Sequence, residues 1–176
     1  VLDALFTATS AVCVTGLIVR DTAEGFTPFG HTIIAVLIQL GGLGVLVFGS
    51  TLALLLGRQL SLRDHQSLGS AIDEYPTDRL VQYVRFVVIT TFAVVAIGAA
   101  LLYPLWEGDL TVGRRLGMSV FHSISAFCNA GFDLTGDSMV PYRGAFLPHG
   151  TLLMLIVLGS IGFPVLQELG SMARVS

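Results

Sequence analysis

Two four-residue turns hold the residues best suited to chemistry in this chain: Cys13-Val14-Thr15-Gly16 and Cys128-Asn129-Ala130-Gly131. Each follows a short apolar stretch and ends in a glycine, which takes positive φ without steric cost. Carbonyl oxygens turned inward at such a place can replace the hydration shell of a potassium ion. The chemistry asks for backbone more than for side chains. A short helix whose C-terminus leads into the turn adds partial negative charge, which favours a cation over an anion.

Enzyme chemistry finds little footing. His122 and Ser123 suggest a base and a nucleophile, but adjacent residues on a helix do not face one another. Neither G-x-S-x-G nor H-E-x-x-H occurs in the sequence. His31 and His149 stand at matching places before two apolar runs, where paired histidines can ligate haem or a metal. Inherited polar residues at a membrane interface are the simpler reading. No catalytic residue, covalent cofactor or resident metal is expected.

The composition sets the surroundings. Of 176 residues, 53% are hydrophobic and 12% charged, and the mean hydropathy is +0.81, so lipid suits the chain better than water as solvent. The net charge of −3 shows no basic run to hold a nucleic acid, so none is expected as a partner. Cys13 and Cys128 read as small apolar residues at equivalent positions; a disulfide would require their Cα atoms within about 7 Å. The chain opens on Val1 within an apolar run and shows no signal-peptide pattern, which suggests a piece of something longer.

The turns need elements to carry them. Residues 32–56 contain no charge and predict a full membrane span, since about 20 apolar residues suffice. Residues 86–103 predict a second, with Arg85 and Trp106 as interfacial anchors. A third is predicted from about Gly150 to Leu166, kinked at Pro164. Residues 1–12 and 116–128 are too short to span and read as re-entrant or buried helices. Between the first two spans, Arg58 to Arg85 reads as an aqueous loop broken at Asp73-Glu74-Tyr75-Pro76, with Thr77 or Asp78 as a helix cap. No acid or lysine falls within the spans, so no proton relay is visible.

A repeat organises these parts. At an offset of 115 positions Phe6 meets Phe121, Ser10-Ala11 meets Ser125-Ala126, Cys13 meets Cys128 and Gly16 meets Gly131. At an offset of 118, His31 meets His149 and Gly41-Gly42-Leu43-Gly44 meets Gly159-Ser160-Ile161-Gly162. Each unit reads as short helix, glycine turn, outer loop and full span. Duplication of this kind is common in transport folds, where the path lies at the interface between repeats. The glycines at 41, 42, 44, 49, 159 and 162 are read as permitting close helix packing.

SAVCVTGL at 10–17, QLGGLG at 39–44, FHSISAFCNAGFD at 121–133 and GSIGFPVL at 159–166 together resemble the Trk/Ktr/HKT superfamily of potassium transporters. The resemblance covers nearly the whole chain. It implies an all-α integral membrane fold of repeated helix, re-entrant pore-loop and helix units, of the potassium-channel-like type. Residues 1–57 would be the first unit without its outer helix, 58–79 a cytoplasmic linker and 80–176 the second unit. Gly16 and Gly131 would be filter glycines, with Val14, Thr15, Asn129 and Ala130 offering carbonyls to potassium, and Cys13, Cys128 and Asp133 flanking them.

The family's other properties enter as what the resemblance implies. Potassium would be the substrate, the plasma membrane the location and multi-pass the topology. Partners would be the remaining pore units of the same chain, a second copy in a homodimer, membrane lipid and a cytosolic nucleotide-binding regulatory ring of the KtrA/TrkA type. In plant relatives a serine at the first filter position goes with sodium selectivity, so Gly16 favours the potassium type. Coupling to sodium, to protons or to neither is left unassigned. Orientation rests on the resemblance too: Arg58, Arg63, Arg79 and Arg85 against Arg20, Arg114, Arg115 and Arg143 make the positive-inside count a tie.

Asp133 and Asp137, just past the second turn, can concentrate cations at a mouth or merely solvate a loop. Arg114 and Arg115 before the second short helix read as lipid-headgroup anchors. Two other architectures fit the same residues: a two-unit subunit that completes its pore by dimerisation, and a non-conducting membrane scaffold.

Overall fold

The computed structural model describes residues 1–60 and 77–166 apart from 107, 109 and 164; side-chain packing in the two longest helices is described up to residue 44 and from residue 82. Six α-helices occur among the described residues, and no strand. They are α1 (Leu2–Val12), α2 (Thr22–Gly25), α3 (Pro28–Leu60), α4 (Thr77–Leu102), α5 (Val112–Phe127) and α6 (Phe146–Ile161).

Local chemistry sets several boundaries. The Asp21 carboxylate accepts from the N–H groups of Ala23 and Glu24 at 2.7 and 3.1 Å, which caps the single turn α2. Pro28 opens α3 at the position where a missing N–H costs nothing, and the Thr27 hydroxyl accepts from Gly30 N–H at 3.2 Å. At 33 residues α3 is about 50 Å long and contains the charge-free run 32–56. Thr111 caps α5 by accepting from Arg114 N–H.

Helix α5 sits at the centre. Phe121, Phe127 and Cys128 join Ile34 and Ile38 of α3, Val87 and Val95 of α4, and Phe163 in one buried cluster. Its polar residues are buried as well, so each needs a partner. Ser123 Oγ donates to the Val95 carbonyl at 2.8 Å, joining α5 to α4. Gly98 makes that approach feasible, because a methyl group there would overlap Ser123 Oγ and Leu155. By contrast α1 is largely uncovered: Phe6 is 41% exposed where its counterpart Phe121 is 3%. Among the described residues α4 lies against α5 and nothing lies correspondingly against α1.

Four expectations change. Trp106 is no interfacial anchor: it is 3% exposed, packs against His122 and donates from Nε1 to Ser119 Oγ at 2.9 Å. The indole N–H found a partner inside the protein, which removes its reason to seek the interface. The third span is shorter than its apolar run. Helix α6 stops at Ile161 because Gly162 takes φ 85, leaving 16 residues, or about 24 Å. The second short helix starts at Val112, four residues before its apolar stretch, because Thr111 caps it there. Residues 58–60 and 77–79, read as linker, are helical ends of α3 and α4. The rest of that linker, including Asp73-Glu74-Tyr75-Pro76, Arg63 and the cap of α4, lies outside the described residues, as does Pro164.

Candidate functional site

The two turns have the same backbone. The caps Cys13 and Cys128 have φ, ψ of −77, −4 and −78, −3 degrees. Val14 and Asn129 follow at φ 56 and 58, and Gly16 and Gly131 at φ 71 and 75. Thr15 N–H reaches back to the Ser10 carbonyl at 3.0 Å, and Ala130 N–H to the Ser125 carbonyl at 2.8 Å. Val14 N–H bonds the Ala11 carbonyl at 3.2 Å, and Asn129 N–H the Ala126 carbonyl at 3.1 Å. Both short helices therefore close in the pattern that returns two N–H groups to the last turn.

That closure decides which peptide groups remain free. The first three N–H groups of each turn, those of 13–15 and 128–130, are spent on its own helix. Among the described residues the carbonyl oxygens of 13–16 and 128–131 accept no hydrogen bond. The two turns also lie together: a methyl group on Gly16 would overlap the Ala130 carbonyl oxygen. Unpaired acceptors from the two turns thus meet at the C-terminal, partially negative ends of two helices.

Strain is present at one position. An asparagine tolerates the left-handed region, so Asn129 costs little, whereas a β-branched valine there is an outlier. Val14 is held by the Ala11 bond and by packing against the core cluster. Around each turn a serine from the helix adds a brace. Ser10 Oγ lies 2.9 Å from Thr15 Oγ1, and Ser125 Oγ donates to the Phe132 carbonyl at 2.6 Å.

Helices α3 and α6 press on the ends of α1 and α5. A methyl group at Gly41 would run into the Val12 carbonyl oxygen, and one at Gly159 into that of Phe127. Gly42 lies against Cys128, whose Sγ would stand 2.6 Å from an added Cβ. These three glycines serve packing as the sequence suggested. Gly44 has no neighbour within 4 Å, Gly162 ends a helix, and Gly49 lies where packing is outside the described residues.

The other candidates resolve individually. Cys13 is exposed and Cys128 buried, and both are free thiols. One Asp133 oxygen accepts from Thr135 N–H at 2.9 Å, Gly136 N–H at 3.1 Å and Thr135 Oγ1 at 3.2 Å, so this carboxylate folds its own loop. Asp137 is exposed. His31 Nε2 lies 2.7 Å from the Thr22 carbonyl, whereas His149 Nδ1 bonds back to Ala145 within its own segment. Arg115 donates to the Gly108 carbonyl at 3.3 Å and stacks over Tyr103, while Arg114 is exposed. His122 and Ser123 turn to different partners. Among the described residues no cluster of three metal-ligating side chains occurs.

Sequence reasoning missed the buried polar residues that hold the turns, His122 and Ser125 above all, and the Asp21 cap. The serines were visible as identities of the repeat, but their bonding partners were not.

Residues 1–173 match the family model for TrkH, described as a cation transport protein. The chain belongs to the TrkH cation transport family. Among curated TrkH relatives, the Ktr system potassium uptake protein B of Bacillus subtilis is 36% identical over 95% of this chain and 38% of its own length. The protein of the same name from Vibrio alginolyticus is 39% identical over 96% of this chain and 37% of its own. The potassium/sodium uptake protein NtpJ of Enterococcus hirae is 33% identical over 99% and 39%. The chain thus spans well under half the length of these TrkH relatives. Membership implies a membrane location and a transport family, not an enzyme family. Among the residues whose side-chain packing is described, one helix, Gln82–Leu105, is long and apolar enough to cross a bilayer.

Proposed function

We propose that this chain forms part of a potassium uptake pathway, in which Val14, Thr15 and Gly16 of one turn and Asn129, Ala130 and Gly131 of the other offer backbone carbonyls to the ion. The observation that carries the reading is the shared closure of α1 and α5, which spends the first three N–H groups of each turn and leaves the oxygens unpaired. Dehydrating potassium requires several such oxygens at once. Cys13, Cys128 and Asp133 flank the ion path and shape it without touching the ion.

Two turns cannot surround a cation alone. The curated relatives are more than twice as long as the matched segment, which leaves room for further units of the same kind. In this reading residues 1–57 and 80–176 are two of several helix, pore-loop and helix units, 58–79 links them on the cytoplasmic side, and the chain crosses the plasma membrane repeatedly. The potassium uptake named for the relatives supports the substrate. A homodimer, a nucleotide-binding regulatory ring and sodium or proton coupling belong to the same proposal.

The test is ion flux through the full-length protein in liposomes. Gly16→Ser adds a side chain at positive φ and against the Ala130 carbonyl, and Gly131→Ser adds one at positive φ in more open space. Each should lower the potassium-to-sodium flux ratio, by about tenfold or more at Gly16, which corresponds to ~1.4 kcal/mol. Unchanged ratios in both variants overturn the filter. Absence of any flux or potassium binding in the unmodified protein favours a scaffold, and full activity of a protein with only these two turns favours a self-pairing two-unit channel.

A further inference from the structure

The second turn is held from behind by side chains that the ion path does not use. His122 is 3% exposed in the middle of α5. Its Nδ1 lies 2.8 Å from the Met118 carbonyl, and an acceptor on that side requires Nδ1 to carry the proton. Its Nε2 then accepts from Leu134 N–H at 3.3 Å. Both ring nitrogens are thereby committed to backbone groups. Trp106 packs against the ring at a tilt of 46° with centroids 4.7 Å apart, and its own N–H is tied through Ser119 Oγ to the Arg115 carbonyl, so the imidazole has little freedom to turn.

Leu134 is three residues beyond Gly131. Between them the Phe132 carbonyl accepts from Ser125 Oγ at 2.6 Å. His122 and Ser125 stand at i and i+3, on one face of α5. The chain leaving the turn is therefore pinned twice to a single helix face. Behind it lies a cavity of about 280 Å3 whose lining includes His122, Ser125, Asn129, Gly131 and Asp133. That space is where the segment can move when a pin is lost.

The first turn is built differently. The counterpart of His122 is Thr7, 1% exposed, whose hydroxyl finds no partner among the described residues. There the brace is local, between Ser10 and Thr15.

We infer that His122, together with Ser125, is a positioning residue for the second turn, acting on the Asn129–Gly131 carbonyls through the backbone of Phe132 and Leu134. This rests on the filter reading above. The two ring bonds can be removed separately. In His122→Asn the amide stands where Nδ1 stood and keeps the Met118 bond, but falls short of Leu134. In His122→Gln the amide reaches the Nε2 position and keeps an acceptor for Leu134 N–H.

Full-length protein in liposomes should show a potassium-to-sodium flux ratio lowered about fivefold in His122→Asn, the size expected for one neutral hydrogen bond. His122→Gln should stay within about twofold of the unmodified ratio. Ser125→Ala should resemble His122→Asn. A purely packing role predicts instead that both histidine variants lose folded protein and leave the ratio of the remainder unchanged. That outcome, or an unmodified ratio in His122→Asn and Ser125→Ala, overturns the inference. Gly131→Ser run alongside separates the two levels: if it alters the ratio while the His122 and Ser125 variants do not, only the positioning role fails; if it too is silent, the filter reading fails.

Discussion

Gly41 lies against the Val12 carbonyl so closely that its α-carbon has no room for a methyl group, and Gly159 repeats this relationship with Phe127. The last peptide of α1 is thus seated on the backbone of α3, and that of α5 on the backbone of α6. Gly41→Ala or Gly159→Ala must move one helix off the other. Overpacking of this kind costs about 1–3 kcal/mol. The expected result is a lower melting temperature in detergent for each, whereas Gly44→Ala, with open space around it, should be nearly neutral. Equal effects at all three positions would contradict the packing.

Val14 should be the strained member of the matched pair. Replacing it with asparagine, the residue found at the equivalent place in the second turn, relieves a left-handed valine without altering the closure of α1. The gain expected is on the order of 1 kcal/mol, offset in part by lost apolar contact with the core cluster. Thermal unfolding of Val14→Asn against the unmodified protein checks this. A clear fall in stability would mean that side-chain packing outweighs backbone strain here.

Asp133 separates loop folding from cation attraction. Its Oδ1 accepts three bonds within 133–136, and an asparagine amide oxygen can accept the same three without the charge. Asp133→Asn should retain uptake at low ionic strength within about twofold, while Asp133→Ala should lose more, because two loop N–H groups then lack a partner. If both variants lose uptake equally, and salt abolishes the difference from the unmodified protein, the charge matters and the loop does not.

Much of this architecture is legible in the residues. The offset identities at Ser10 and Ser125, Cys13 and Cys128, and Gly16 and Gly131 mark places where backbone geometry leaves few choices, and the structure duplicates the geometry there. Glycines that admit a neighbouring carbonyl, such as Gly41 and Gly159, are visible for the same reason. Other features depend on partners distant in sequence. Whether Trp106 faces lipid or protein turns on Ser119 and His122, and no local pattern announces that. Gly162 sits in an apolar run like Gly44, yet one breaks a helix and the other continues it. The roles of His122 and Ser125 require knowing where the chain returns after the turn.

The closure of α1 and α5 also bears on how freely these segments can change during evolution. With the first three N–H groups of each turn folded back onto its helix, an ion on the proposed path meets mainly oxygen. On the proposed filter reading, discrimination by sign is then a property of main-chain topology, settled before any side chain is chosen. That is consistent with one turn reading Val-Thr and the other Asn-Ala between the same cysteine and glycine. The letters can drift so long as the left-handed residue, the serine and the glycine keep the peptide planes facing as they do.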